Sequence, residues 1–259
     1  MNSADITFVV ITRNEAANIA ACLRSLPPNV PILVYDSISD DETVEFARSF
    51  GATVVQAAWA GYARAREDAA AEVHTPWTFM LDADERLTPA LAQELEDLQP
   101  PNEVAGYSVP RRNHFCGRWI RSAGWWPDRL VRLFRTGQAT ITSRGSYDSS
   151  VHEAWQVQGL CVELRAPVDH FSYESVEDYG RKFALYTSLE AAGVRFGFGR
   201  VITAWLIVPL RAGWYLVGRG GVLEGWRGAY VCVGSALYPA VVATKSWRRT
   251  RRSSPQATP

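Results

Sequence analysis

Paired cysteines are the first thing this chain lacks. Cys22, Cys116, Cys161 and Cys232 lie far apart, and no two stand at the spacing of a metal-ligand pair. That argues against a zinc module and against a disulfide framework, and it predicts a reducing compartment. Met1-Asn2-Ser3-Ala4-Asp5 has no basic n-region, and the apolar run over residues 6–11 is too short for a signal peptide. No G-x-G-x-x-G follows that run and no G-x-x-x-x-G-K-[ST] occurs, so dinucleotide-binding and P-loop readings lose their usual support. Uncharged runs over residues 201–210 and 228–244 reach ten and seventeen residues. Neither comfortably meets the roughly 20 that a spanning helix needs. There is no internal repeat.

Net charge is absent too, but only in total. The 259 residues are 47% hydrophobic and 21% charged, enough for one large domain with an appendage. From residue 191 onward ten Lys/Arg face one acid, Glu224, which leaves 17 basic and 26 acidic groups in the preceding 190 residues. An acidic body with a basic, tryptophan-containing tail points to an anionic membrane surface. Nucleic acid is disfavoured as a partner because the tail is too apolar for it. Trp205, Trp214, Trp226 and Trp247 stand among the arginines. That pattern suits helices lying in a membrane interface with basic side chains toward the headgroups. A buried helix pair completing a soluble core, or a re-entrant or spanning segment over residues 228–244, would be alternatives.

The first hundred residues alternate as βαβ units. Strands are predicted over residues 6–11, 32–35, 53–55 and 77–82. Between them helices run from an Asn14 cap to Leu26, from Asp41 to Phe50 behind a Ser39–Glu42 capping box, and from Tyr62 to Val73. Thr88-Pro89 opens a further helix. Residues 100–170 read as strands and long loops, and the chain is helical from Val176. The fold class is α/β, a doubly wound, mostly parallel sheet, in which ligands bind beyond the carboxyl ends of the strands. Asn14, Asp36 and Asp82 all fall at such ends.

Asp82-Ala83-Asp84-Glu85 follows the apolar run Trp77-Thr78-Phe79-Met80-Leu81. Two carboxylates one residue apart, where a buried strand emerges, can share a hard divalent cation. Mg²⁺ or Mn²⁺ takes oxygen ligands, commonly one or two carboxylates with the rest from substrate phosphates. Asp82 and Asp84 are therefore the candidate metal ligands of an enzyme that handles a nucleoside diphosphate.

These residues, with others, resemble the inverting family-2 glycosyltransferases of the GT-A fold, closest to the lipopolysaccharide core glucosyltransferase-like branch. The matching segments are Val10-Ile11-Thr12-Arg13-Asn14-Glu15, residues 35–43, Trp59-Ala60-Gly61-Tyr62, Leu81-Asp82-Ala83-Asp84-Glu85, Gly124-Trp125-Trp126-Pro127-Asp128, residues 130–135, Val151-His152-Glu153 and residues 219–225. They run in family order over nearly the whole chain.

The resemblance implies a sugar transfer from a nucleotide sugar, UDP-linked, to a membrane glycolipid such as a lipopolysaccharide core, at the cytoplasmic face of the inner membrane. It implies that Thr12, Asn14 and Glu15 hold the nucleoside and that Asp36 accepts a hydrogen bond from the base. Asp82 and Asp84 would set the ion against the diphosphate. Arg66 stands where the family has Lys followed by Asn, and could fork onto the diphosphate. Glu153 is the candidate general base and Asp128 its rival. Trp125 and Trp126 either stack on sugar or pack in the core. Arg132 and Arg135 are read as a solvated strand edge, with reach toward a phosphate as the alternative.

Two departures keep other functions open: Ile38 replaces a usual glycine and Glu67 the Asn after the cation. They leave room for a catalytically silent nucleotide-sugar-binding scaffold, and the same carboxylates would serve a metal-dependent phosphohydrolase or nucleotidyltransferase. The expected division is a catalytic domain over residues 1–175, an amphipathic membrane-associating region over 176–247 and a basic disordered tail over 248–259.

Overall fold

The computed structural model describes residues 3–143 and 153–253. The chain forms two compact units. Of the described residues, the first comprises 3–113, 127–142 and 153–172, and the second 114–126, 143 and 173–253.

The first unit opens with β1 (Ile6–Thr12), α1 (Ala16–Arg24), β2 (Ile32–Asp36), α2 (Thr43–Ser49), β3 (Thr53–Gln56), α3 (Tyr62–Ala71) and β4 (Trp77–Asp82). It continues through β5 (Glu85–Leu87), α4 (Pro89–Asp97) and β6 (Val104–Phe115). His114 and Phe115, the last residues of β6, belong to the second unit and pair there with β7 (Arg118–Trp119); the first unit resumes with β8 (Asp128–Arg135), β9 (Ala139–Ser143), β10 (Glu153–Val157), β11 (Leu160–Glu163) and β12 (Val168–Tyr173). The main sheet runs β3-β2-β1-β4-β8-β6-β12-β5, with β11 also on β6, while β9 and β10 form a separate pair.

The sheet is parallel through β3, β2, β1 and β4. It turns antiparallel at β4/β8 and β8/β6. The parallel half is the doubly wound one that the sequence predicts. Beyond it, residues 100–170 supply no helical crossovers, so most of the added strands pair antiparallel.

Alternation along buried strands feeds two apolar layers. Phe8, Val10, Phe79 and Leu81 face Ile19, Cys22 and Leu23 of α1, Ala47 of α2 and Leu91 and Leu95 of α4. Val9, Leu33, Tyr35 and Met80 face Ala65 and Ala69 of α3. Each fully buried large side chain, such as Phe8, Phe79 or Phe134, contributes about 1.5–3 kcal/mol. The Thr88 hydroxyl accepts the Leu91 N–H and Pro89 occupies the first turn of α4, as Thr88-Pro89 predicts.

Two expected caps do not form. The residue before α1 is Glu15, which makes no side-chain cap, and Asn14 instead sits at φ 55° with its Oδ1 accepting the Asp40 N–H. Nor does Ser39 cap α2: its hydroxyl donates to Asp36, and Asp41 accepts the Thr43 N–H. Both caps lose to bonds that lace the β1–α1 and β2–α2 loops together.

The second unit is helical: α5 (Val176–Gly193), α6 (Phe198–Gly213) and α7 (Gly225–Ser253), with a π-helical segment Trp214–Gly218 and a 3-10 turn Gly221–Glu224 between the last two. Phe115 anchors it, with its ring centroid 5.5 Å from Tyr230, 5.7 Å from Tyr179 and 6.0 Å from Trp226. Trp125 packs on Tyr173 in the same cluster. Val231, Cys232, Ala236, Ala240, Val242 and Ala243 of α7 are buried. Residues 228–244 are therefore an element of this unit's core. Among the described residues, the helical run long and apolar enough to cross a membrane lies elsewhere, over Phe198–Gly218. It has 21 residues, and only 6% of its most apolar window is buried. Counting uncharged residues misses it because Arg211 interrupts the run while the helix continues.

Candidate active site

Register brings the predicted polar residues to one end of the parallel strands. Thr12 pairs with Asp36 and Ile11 with Asp82. Pleating then directs Thr12 and Asp36 toward the α1/α2 face and Asp82 toward the α3 face. Thr12 is buried, with its hydroxyl lacking a hydrogen-bond partner. Asp36 is fully buried and accepts from the Ser39 N–H at 2.9 Å, the Ser39 hydroxyl and Gln56 Nε2 at 3.1 Å.

Loops 12–16 and 36–43 are laced by four further bonds. Ser39 Oγ accepts the Asn14 N–H at 2.8 Å, Asn14 Oδ1 accepts the Asp40 N–H at 3.0 Å, Thr43 Oγ1 accepts the Glu15 N–H at 2.8 Å and Asp41 accepts the Ala16 N–H at 3.1 Å. The Glu15 carboxylate takes Asn18. Ile38, at φ 54° and largely exposed, holds a left-handed conformation that β-branched residues avoid. The sequence flags this position as a lost glycine.

The Asp82–Glu85 turn is built around charge pairs. Asp82 accepts Arg66 at 2.8 Å through Oδ1 and Arg132 at 2.9 Å through Oδ2. Burial alone would raise the Asp82 carboxyl, but the charges of Arg132 and Arg66 outweigh it and hold its pKa well below the usual carboxylate range. Glu85 is fully buried, accepts the Asp82 N–H at 3.1 Å, pairs with Arg132 and lies 3.7 Å from Arg111. Arg86 donates to the Ala83 and Glu85 carbonyls, and the Phe171 N–H donates to the Asp84 carbonyl. The turn is thus clamped on both sides of Asp84. Arg132 is buried, not the solvated edge residue that the sequence suggests, because β8 lies inside the sheet between β4 and β6.

Asp84 Oδ2 lies 3.3 Å from His170 Nε2. The other ring nitrogen, Nδ1, lies 2.6 Å from Asn113 Oδ1 and 2.7 Å from Ser172 Oγ. Asn113 Nδ2 donates to Asp128 Oδ2 at 3.2 Å, and Arg111 forks onto the same oxygen at 2.9 and 2.6 Å. One connected network therefore links Arg66, Asp82, Arg132, Glu85, Arg111, Asp128, Asn113, His170 and Asp84, all within the first unit.

Among the described residues no group of three or more His, Cys, Asp or Glu side chains is assembled as a metal cage. A carboxylate and an imidazole nitrogen whose ring is oriented through its second nitrogen nevertheless fit a divalent ion that takes its remaining ligands from phosphate. Asp82 binds two guanidinium groups, and Asp84 stands beside the His170 ring, so both the Asp82–Asp84 pair and the Asp84–His170 pair are candidates to hold such an ion.

Of the predicted residues, Asp82, Asp84, Arg66 and Asp128 share this network, while Thr12, Asn14, Glu15 and Asp36 form the adjoining laced loops. Glu153 opens β10. Val151 and His152 lie outside the described residues. The reading of the sequence passes over His170, Asn113 and Arg111. His170 and Ser172 share one face of β12 with buried Val168, and polar residues on a strand's inward face were the available signal.

The protein-family model of Glycosyl transferase family 2 matches residues 7–158. The lipopolysaccharide core biosynthesis glycosyltransferase LpsC of Rhizobium meliloti is 29% identical over 262 residues, covering 94% of this chain and 92% of its own. An uncharacterized glycosyltransferase of Rickettsia felis is 38% identical over 195 residues, 72% of this chain and 69% of its own. Among solved structures, the mannosyltransferase PcManGT from Pyrobaculum calidifontis, in complex with GDP-Man and Mn²⁺, aligns with a TM-score of 0.54 at 16% identity, over 93% of this chain and 86% of that one. At that identity the likeness is one of fold.

Proposed function

Because the chain belongs to Glycosyl transferase family 2 and has the GT-A fold, we propose that it moves a sugar from a UDP-linked donor to a membrane glycolipid such as a lipopolysaccharide core, with inversion. The observation that carries this reading is the convergence of the Asp82–Glu85 turn with Arg66, His170 and Asp128 in one network at the end of the parallel sheet. The acceptor class is supported by the named activity of the Rhizobium meliloti relative, which is similar over nearly its full length.

In this reading loops 12–16 and 36–43 bind the nucleoside, with the partnerless Thr12 hydroxyl and the Asp36 carboxylate addressing the base. Asp84 and His170 would hold Mg²⁺ or Mn²⁺, and the chemistry such an ion would supply is neutralisation of charge on the departing diphosphate. Arg66 offers its guanidinium to the same phosphates. The acceptor hydroxyl oxygen forms a bond to the anomeric carbon as the bond from that carbon to the phosphate oxygen breaks. The electron pair leaves with the nucleoside diphosphate, and the hydroxyl proton passes to a carboxylate. Glu153 and its rival Asp128, which shares the network of Asp84, are the two candidates for that base.

A thermal-shift screen of UDP and GDP with and without MnCl₂ tests the donor. At 100 times Kd the cognate nucleotide stabilises by about 2.7 kcal/mol. Asp84→Ala should abolish transfer and the Mn²⁺-dependent shift while leaving the unliganded melting temperature near wild type. No shift with either nucleotide, or wild-type turnover in Asp84→Ala, removes the reading. Asp128→Asn against Glu153→Gln, compared by kcat, assigns the base.

A further inference from the structure

Asn113 joins two groups whose hydrogen-bonding directions are otherwise independent. Asp128, paired with the Arg111 fork, is a carboxylate and accepts only. The Asn113 edge facing it must therefore be the Nδ2 amide, which places Oδ1 against His170 Nδ1 at 2.6 Å. An amide oxygen also accepts only, so Nδ1 carries a proton and Nε2 is the nitrogen left to address Asp84. Ser172 Oγ, 2.7 Å from the same Nδ1, is a rotatable hydroxyl that can donate or accept, so it cannot choose between the tautomers. Asn113 itself is 8% exposed, and β6 alternation puts it on the same side as Arg111.

We propose that Asn113 is a positioning residue: it transmits the orientation of the Asp128 carboxylate to the His170 ring, and so sets which imidazole nitrogen faces Asp84 and the ion. The proposal rests on Asp84 and His170 being the residues that hold that ion. It makes Asn113 different in kind from a residue that only packs, because its donor and acceptor ends have separable consequences.

The test is Mn²⁺ binding in the presence of UDP, read from the loss of the free-ion electron paramagnetic resonance signal. Wild type, Asn113→Ala, Asn113→Asp and Asp84→Ala are compared. Asn113→Ala removes both ends and should weaken Mn²⁺ binding about 10- to 100-fold, the usual cost of losing a partner behind a metal ligand. Asn113→Asp keeps an oxygen for Nδ1 but turns the donor end into a like charge against Asp128. It should bind Mn²⁺ close to wild type while kcat falls and the donor KM stays put. Unfolding without ligand identifies any variant that fails to fold; if Asn113→Ala is one, Asn113→Ser, which cannot span both partners, takes its place.

Wild-type Mn²⁺ binding in the folded Ala or Ser variant overturns the proposal, and so does equal loss in the Asp and Ala variants. If Asp84→Ala also binds Mn²⁺ as wild type does, the reading of Asp84 and His170 falls with it. Lost binding in Asp84→Ala beside unchanged binding in Asn113→Ala sinks the role of Asn113 alone.

Discussion

Arg132 carries two carboxylates at once. Its Nη2 donates to Asp82 at 2.9 Å and to buried Glu85, and its Nε is buried with no hydrogen-bond partner. A buried ion pair of this kind is weak evidence of stabilisation, but removing one partner is costly because the other charge stays behind. Arg132→Met should therefore cost about 3–5 kcal/mol in urea unfolding at pH 7. The pH dependence has a definite sign. Asp82 has a depressed folded pKa, so its contribution is complete above the unfolded value of about 3.9 and is lost as pH falls below it. In the variant Asp82 keeps Arg66 but loses Arg132, the larger of the two charges that lower its pKa, so it takes up a proton at higher pH than in the wild type and acid relieves part of the loss. The gap between variant and wild type should narrow from pH 7 to pH 4, and a gap independent of pH would contradict this assignment. Strand alternation groups Arg132 with Leu130 and Phe134, but it cannot show that β8 is flanked on both sides, nor that two carboxylates wait there. The acidic pair Asp82 and Asp84 was legible because it follows a continuous apolar strand. Arg66 was named with it, but Arg132 and His170 were not read as its partners, because they arrive from β8 and β12, far along the chain.

Helices and parallel strands announce themselves through short-range signals, and the elements that are hard to read are those set by close approach. β1 to β4 follow from apolar runs separated by Pro27-Pro28, Gly51 and an alanine-rich helix. The antiparallel strands after residue 100 lack such punctuation, and their order is set by long-range pairing. In the second unit the segment from Arg219 to Gly225 depends on glycine for two separate reasons. Gly220 and Gly225 have φ 67° and 63°, and Gly221 lies so close to Cys232 that a Cβ would meet its sulfur at 2.2 Å. On α7, a Cβ at Gly228 would stand 2.0 Å from the Gly221 carbonyl oxygen, a backbone atom that has no rotamer to change. Gly228→Ala should cost about 3 kcal/mol or more by overpacking. Gly180, inside α5, has open space where an alanine methyl would stand, with nothing within 4 Å. Gly180→Ala should therefore stabilise by roughly 0.5–1 kcal/mol, the helix-interior difference between the two residues. Thermal melts of the two variants, moving in opposite directions, check that the α7 contact and not glycine content decides the outcome.

At the scale of the whole molecule the charge asymmetry and the exposed apolar surface fall on the same stretch of sequence. Leu206, Leu210, Trp214 and Val217 are 60–77% exposed, and Leu223 is 79% exposed. Arg200 and Arg211 lie within the same helix, while the only acid after residue 191, Glu224, is buried and accepts the Arg121 N–H. The surface is thus apolar with positive charge and no exposed acid in its sequence neighbourhood. An anionic lipid surface matches both properties: basic groups near it are worth about 1 kcal/mol each, and a leucine leaving water about 1.5–3 kcal/mol. We predict that the full chain sediments with vesicles containing phosphatidylglycerol and less with pure phosphatidylcholine, and that added salt reduces the difference. Leu206→Ser, Leu210→Ser and Val217→Ser combined should lower partitioning by about 40-fold or more even if only half of that burial is realised. Far-ultraviolet circular dichroism of the triple variant should match wild type, since these side chains make little of the unit's core. Equal sedimentation of the triple variant and the wild type would mean that this helix is not what touches lipid. A wild-type chain that stays in the supernatant with anionic vesicles would remove the membrane assignment, while leaving the Asp84 and His170 chemistry to be judged by the nucleotide and Mn²⁺ experiments.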